Sequence, residues 1–91
     1  WCDDPNHKMY NQLVKDSKKI KCEKLFRKDL KYDFFIPIKY NMIRTKKNKG
    51  SAIFIHLTKN YNKTLGCIVL KKNDFLILIK LINNKTKIKI I

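Results

Sequence analysis

No apolar run in this 91-residue chain approaches the roughly 18 residues a helix needs to cross a bilayer. The longest candidate, Phe75 to Ile82, is interrupted by Lys80, so a membrane span within these residues is excluded. Arginine is scarce as well: two against twenty lysines. Cysteine occurs three times, at Cys2, Cys22 and Cys67, with neither a CxxC pair nor a Cys/His cluster at zinc spacing, so a structural metal site is not expected. No initiator Met, basic n-region or apolar h-region precedes Trp1. The expectation is that any signal peptide has been removed or was never included. No internal repeat is visible, and the length suits one small domain with a modest core.

What is abundant is positive charge. The formal net charge of +15 invites a nucleic-acid reading, because clustered Lys and Arg release counterions from phosphates. Lysine, isoleucine and asparagine all have AT-rich codons, however, and mutational bias accounts for much of the excess. The bidentate guanidinium favoured for phosphate recognition is nearly missing. A specific nucleic-acid partner is therefore not expected. Loose attraction to polyanions, including cell-wall polymers and anionic membrane surfaces, is.

Residues 1–21 are polar, with turn chemistry at Asp3-Asp4-Pro5-Asn6 and room for one helical turn around Met9 to Leu13. The spacing of Leu25, Phe26 and Leu30 among charges predicts a short amphipathic helix over Cys22 to Lys31. The period then changes to two. Asp33 to Tyr40 reads as an edge strand interrupted by Pro37, Ser51 to Leu57 as a strong strand, and Cys67 to Leu70 as a shorter one after a turn at Gly66. Asn73 is positioned to cap a helix from Asp74 to about Ile82, and alternation at Lys87-Ile88-Lys89-Ile90 predicts a half-buried terminal strand over Thr86 to Ile91. The fold expected is mainly β, a small sheet or sandwich with two helices packed outside.

Against this background stand a histidine inside an apolar strand, Ile53-Phe54-Ile55-His56-Leu57, and a cysteine directly after glycine, Gly66-Cys67. A strand–loop–strand can bring the second strand beside the first and place imidazole and thiol on one face. Histidine then stabilises the thiolate nucleophile and returns a proton to the leaving amine. The backbone N–H groups of residues 66 to 68, Ile68 included, suit an oxyanion hole, and Gly66 leaves room for the carbonyl. A free cysteine on an apolar strand also fits a packed core position, and a strand histidine a structural one. Asp3, Asp4, Asp33 and Asp74 read as loop, strand-entry and helix first-turn acids rather than as a catalytic carboxylate pair. His7 reads as solvated, as does the basic run Lys46 to Lys49.

The segment Gly50-Ser51-Ala52-Ile53-Phe54-Ile55-His56-Leu57 followed by Thr64-Leu65-Gly66-Cys67-Ile68-Val69-Leu70 resembles the signature of the YkuD-type L,D-transpeptidase catalytic domain, a histidine preceding [Ser/Thr]-x-Gly-Cys. Trp1-Cys2-Asp3-Asp4-Pro5, Tyr10-Asn11 and Tyr32-Asp33 resemble the segment before that motif in a bacterial subgroup. The resemblance implies Cys67 as acylated nucleophile, His56 as its base, and Gly66 with Thr64 as the turn shaping the pocket. Leu65 and Val69 stand where the family commonly has a second histidine and an arginine.

It further implies one catalytic domain over residues 1–91, shorter than usual and lacking N-terminal strands. The activity implied is acyl transfer on peptidoglycan stem peptides in the periplasm or cell envelope, without metal or dissociable cofactor. Two alternatives stay open: a non-catalytic or hydrolytic wall-peptide-binding domain of the same fold, and a basic nucleic-acid module. The disulfide state of Cys2 and Cys22 also stays open: an oxidising compartment allows Cys2 to pair with Cys22, leaving Cys67 free, or with a residue upstream of Trp1, and the sequence does not choose.

Overall fold

The structure is a computed structural model that describes residues 1–15 and 18–90. Its sheet has three strands, β1 (Phe35–Pro37), β2 (Phe54–Leu57) and β3 (Ile68–Leu70), followed by one helix, α1 (Lys72–Leu81). The strand order is β1-β2-β3. β1 runs antiparallel to β2 with Phe35 opposite His56 and Pro37 opposite Phe54, whereas β3 runs parallel to β2 with His56 opposite Val69. The central β2 is the apolar strand of the sequence, and Phe54, Ile55 and His56 in it are buried.

Pro37 occupies an edge strand, as its missing donor requires. The next residue, Ile38, donates its N–H to the Ile53 carbonyl at 2.9 Å, so the alternation of an antiparallel ladder turns the nitrogen of Pro37 away from β2. No ladder bond is lost there.

Side chains alternate along β2, and the two faces of the sheet have different covers. Ile55 faces the side of α1. The helix contributes Phe75, its one fully covered side chain, which stacks on Phe34 at 6.0 Å between ring centroids. Phe54 and His56 face the other side, where Trp1, Tyr32, Ala52 and Phe54 form the buried cluster. Trp1 meets Phe54 edge-on at 4.9 Å, and Tyr32 meets it edge-on at 5.7 Å. Full burial of Phe54 and Phe75 contributes roughly 1.5–3 kcal/mol each.

The N-terminal segment is strapped across this second face by backbone bonds. Cys2 N–H donates to Gln12 and Asn11 N–H to Cys2; on the opposite side Asp3 donates to Lys21 and Glu23 to Trp1. Asn11, 1% exposed, ties the strap to the sheet. Its Oδ1 accepts from Trp1 Nε1 (2.9 Å) and from Ala52 N–H (3.0 Å), while its Nδ2 donates to the carbonyls of Tyr40 and Asn41.

Several local expectations are corrected. Cys22 to Lys31 forms no helix; it is a run of turns and bends, so α1 is the one helix among the described residues rather than one of two. Cys22 is bridged to Cys2, Arg27 is held by Asp29 in a bidentate ion pair (2.7 Å at the closest), and Phe26 is fully exposed. Of the three apolar residues there, Leu25 packs against the buried cluster while Phe26 and Leu30 stay exposed, so no common helix face is buried. Residues around Met9 to Leu13 form successive four-residue turns, Tyr10 N–H to His7 and Gln12 N–H to Met9, instead of a helical turn. His7 is partly buried, its Nδ1 accepting the Met9 N–H at 3.0 Å.

Asn73 lies inside α1, whose N-cap is Lys71 without a side-chain cap; Asp74 does stand in the first turn. Thr86 to Ile90 forms no strand, and Ile88 and Ile90 stay exposed. Residues 86–90 pair with neither edge of the sheet; the chain turns at Asn83 to Thr86 instead, with Thr86 N–H donating to the Asn83 carbonyl and Thr86 Oγ1 accepting the Asn83 N–H. Ile91, the last residue of that expected strand, lies outside the described residues.

Candidate functional site

His56 and Cys67 reach the same face of the sheet by register. Val69 lies opposite His56, and Cys67, two residues before Val69, shares its side. Its partly buried side chain packs against the cluster of Trp1, Tyr32, Ala52 and Phe54. By the same pairing Cys67 is the diagonal neighbour of His56 across adjacent strands, a relation of roughly 7–8 Å between backbones. Tyr32 touches both neighbourhoods: its ring is edge-on to the imidazole at 5.3 Å, and a charge on Cys67 would act on its phenol.

The imidazole has a defined tautomer. Nδ1 lies 2.8 Å from the Leu57 carbonyl oxygen, which can only accept, so Nδ1 carries the proton and Nε2 the lone pair. Nε2 is buried and has no hydrogen-bond partner. Burial pushes the His56 pKa below its ordinary value; the Leu57 carbonyl opposes this, and the nearby Lys31 charge adds to the lowering. The neutral form, which can accept a proton, is thereby favoured.

The thiol is directed elsewhere. Cys67 Sγ donates to the Ala52 carbonyl at 3.3 Å, and no hydrogen bond joins it to His56 among the described residues. Ala52 holds a left-handed φ of 55°, an unusual conformation for a residue with a Cβ. Its N–H is taken by Asn11. Asn11 thus fixes the peptide that presents the carbonyl to Cys67.

Thr64 sets the approach to the strand. Its Oγ1 donates to the Cys67 carbonyl at 2.6 Å, closing the turn through Leu65 and Gly66. Gly66 has φ +122°, and a Cβ there would come within 3.3 Å of Ile53 Cδ1, so the turn requires glycine. Ile68 is the first residue of β3 and lies opposite Ile55; its side chain turns toward the face bearing α1. Leu65 is fully exposed.

Beside His56 opens a cavity of about 420 Å³ whose wall includes Lys31, Asp33, His56, Thr58, Lys63, Thr64, Val69 and Lys72. Imidazole and Thr64 therefore border one volume, while Cys67 lies outside its wall, turned to Ala52. Glu23 accepts a short hydrogen bond from the Tyr32 hydroxyl. Burial first, and then this bond, raise the Tyr32 pKa. Among the described residues no three His, Cys, Asp or Glu side chains come together in an arrangement able to hold a metal ion, and no helix is long and apolar enough to cross a membrane.

Sequence reasoning named His56, Cys67, Gly66, Thr64 and Ile68. It did not single out Asn11, Tyr32, Glu23 or Ala52 as parts of this surround. Tyr10-Asn11 and Tyr32-Asp33 carried the only signal, as parts of a resembling segment; no periodicity marks a buried asparagine or an alanine with positive φ.

Comparison with curated proteins and with solved structures gave no significant match. The family model of the L,D-transpeptidase catalytic domain, YkuD, matches residues 1–90. With that match spanning essentially the whole chain, and His56 and Gly66-Cys67 on one face of its sheet, the protein belongs to the L,D-transpeptidase catalytic domain family.

Proposed function

We propose that residues 1–91 act as one catalytic domain that transfers an acyl group from a peptidoglycan stem peptide through a thioester on Cys67. The single observation that carries this reading is the buried Nε2 of His56, without a partner and with its lone pair defined by the Nδ1 bond to Leu57. A buried nitrogen left unpaired costs about 1–3 kcal/mol, and the thiol on the same face is the group whose proton it can take. Rotation of the Cys67 side chain away from the Ala52 carbonyl is the step that brings them together.

Nε2 then accepts the thiol proton, and the sulfur attacks the carbonyl between the L- and D-configured centres. The S–C bond forms as the C–N bond breaks, and His56 returns the proton to the departing D-amino acid. An amine from a neighbouring stem takes the acyl group from sulfur, its proton passing back through His56 to the thiol. The N–H groups of Gly66 and Cys67 receive the developing oxyanion, that of Ile68 being taken up by the ladder with β2, and Thr64 holds the turn that presents them. The family's usual setting makes the cell envelope the place of action.

Incubation of the protein with a tetrapeptide stem should release D-alanine, and Cys67→Ala should release none while keeping its fold. Absence of release from the folded wild-type protein would overturn the acyl-transfer reading.

One observation favours a second reading, a wall-peptide-binding domain without turnover: the thiol is bonded to Ala52 and lies outside the cavity beside His56. A carbapenem, an acylating inhibitor class for this family, separates the two. An adduct on Cys67 by mass spectrometry supports the acyl-transfer reading, and an unmodified thiol in folded protein supports the binding domain.

A further inference from the structure

The structure assigns a second thiol site, remote in role from Cys67: Cys2 and Cys22 form a dithiol pair built to close into a disulfide by exchange with a small anionic disulfide. The two residues face one another in an antiparallel bridge. Which type of bridge is settled by the hydrogen bonds around it. Asp3 N–H donates to Lys21 (2.9 Å) and Glu23 N–H donates to Trp1 (2.8 Å), while the N–H and C=O of Cys2 are used on its other side by Gln12 and Asn11. Cys2 and Cys22 are therefore a non-hydrogen-bonded pair, the kind in which opposed Cα atoms lie closest, about 4.5 Å apart, with side chains on one side. A disulfide spans Cα separations of about 4.4–6.8 Å. The backbone needs no rearrangement to accept the bond.

Access sets the order of events. Cys2 is fully buried, and Cys22 is partly exposed in a surface depression lined by Lys21, Lys24 and Arg27 together with Asp3 and Glu23. The depression itself is of mixed charge, and the net charge of +15 on the chain attracts a carboxylate-bearing disulfide such as glutathione disulfide to it. The Cys22 thiolate attacks one sulfur and expels one glutathione thiolate, leaving a mixed disulfide. The Cys2 thiolate then attacks the Cys22 sulfur and expels the second. Both thiol protons end on the two glutathione molecules, which gain the electrons the protein loses.

The bond joins the stretch carrying Trp1, which packs edge-on against Phe54, to the stretch carrying Glu23, the acceptor of Tyr32. Oxidation thus fastens the cover of the face on which His56 lies. In a chain of this size the cross-link should raise Tm by about 10 °C or more.

The test treats folded Cys67→Ser protein with glutathione disulfide and removes the excess. Expected are a mass lower by two hydrogens, a Cys2–Cys22 linked peptide after proteolysis, a higher Tm, and reversal of all three by dithiothreitol. Cys22→Ser in the same background should keep Cys2 unmodified and show no rise in Tm. A stable mixed disulfide on Cys22 without closure, two free thiols, or closure that leaves Tm unchanged would each overturn the assignment. Because the readouts are mass and melting rather than turnover, none of these outcomes bears on the acyl-transfer reading.

Discussion

Tyr32 stands edge-on to His56, 5.3 Å between ring centroids and 79° between planes, while its hydroxyl is held by Glu23. One aromatic ring thereby packs against the imidazole and is itself anchored by a carboxylate from the N-terminal half of the chain. Tyr32→Phe keeps the ring and loses the anchor. Stability should fall by about 1–2 kcal/mol in denaturant titration, and the imidazole's edge contact should persist.

The same pair gives stability a window in pH. The folded-state pKa of His56 is depressed mainly by burial, so between its unfolded value and that lower value the unfolded chain binds more protons. This contribution is complete above about pH 6.5 and is lost as pH falls toward the depressed folded value. Tyr32 is raised, so its contribution is complete below about pH 10 and is lost as pH climbs beyond. Tm measured across pH should fall on both sides, and His56→Gln should flatten the acid side.

Base catalysis by His56 predicts an acid limb of activity displaced in the same direction. D-alanine release should persist to pH values below the 6.5 of an ordinary histidine before it falls. A limb at or above that value would remove His56 as the base.

Asn11 is the costliest single side chain to remove on the strap. Asn11→Ala strips partners from Trp1 Nε1, the Ala52 N–H and the carbonyls of Tyr40 and Asn41, and with it the support for the left-handed Ala52. The expected loss is about 3 kcal/mol or more by chemical denaturation.

Gly66→Ala introduces a Cβ at φ +122° and 3.3 Å from Ile53 Cδ1. The turn that ends in Cys67 should strain by roughly 1–3 kcal/mol. Alkylation of Cys67 by iodoacetamide should change in rate, since the sulfur moves relative to Ala52.

The central strand was legible in the residues, because Ile53 to Leu57 has no polar break except His56, and so were the edge placement of β1, from Pro37, and the turn, from Gly66. These signals are local: a ring that lacks an N–H, a glycine that permits positive φ, an apolar run. Cys22 to Lys31 misled because its apolar spacing is helical while Cys22 is engaged with Cys2, a contact between distant residues that outweighs weak helical propensity. Asn73 misled because α1 starts one residue before it, capped by no side chain, and water can satisfy the free N–H groups of an exposed first turn as a capping oxygen would.

The chain by itself determined the chemistry available, one imidazole in an apolar strand and one thiol behind a glycine, since residue type and neighbours are properties of sequence. Only the tertiary structure decided which nitrogen of His56 keeps its proton, that the Cys67 thiol turns to Ala52, and that Asn11 and Tyr32 surround the pair. The bonds of Ala52 to Cys67 and to Asn11 and the ring contact of Tyr32 with His56 join residues fifteen to forty-one positions apart, distances that leave no periodic trace. The His56 proton, though held by the adjacent Leu57 carbonyl, follows a ring orientation that this packing fixes.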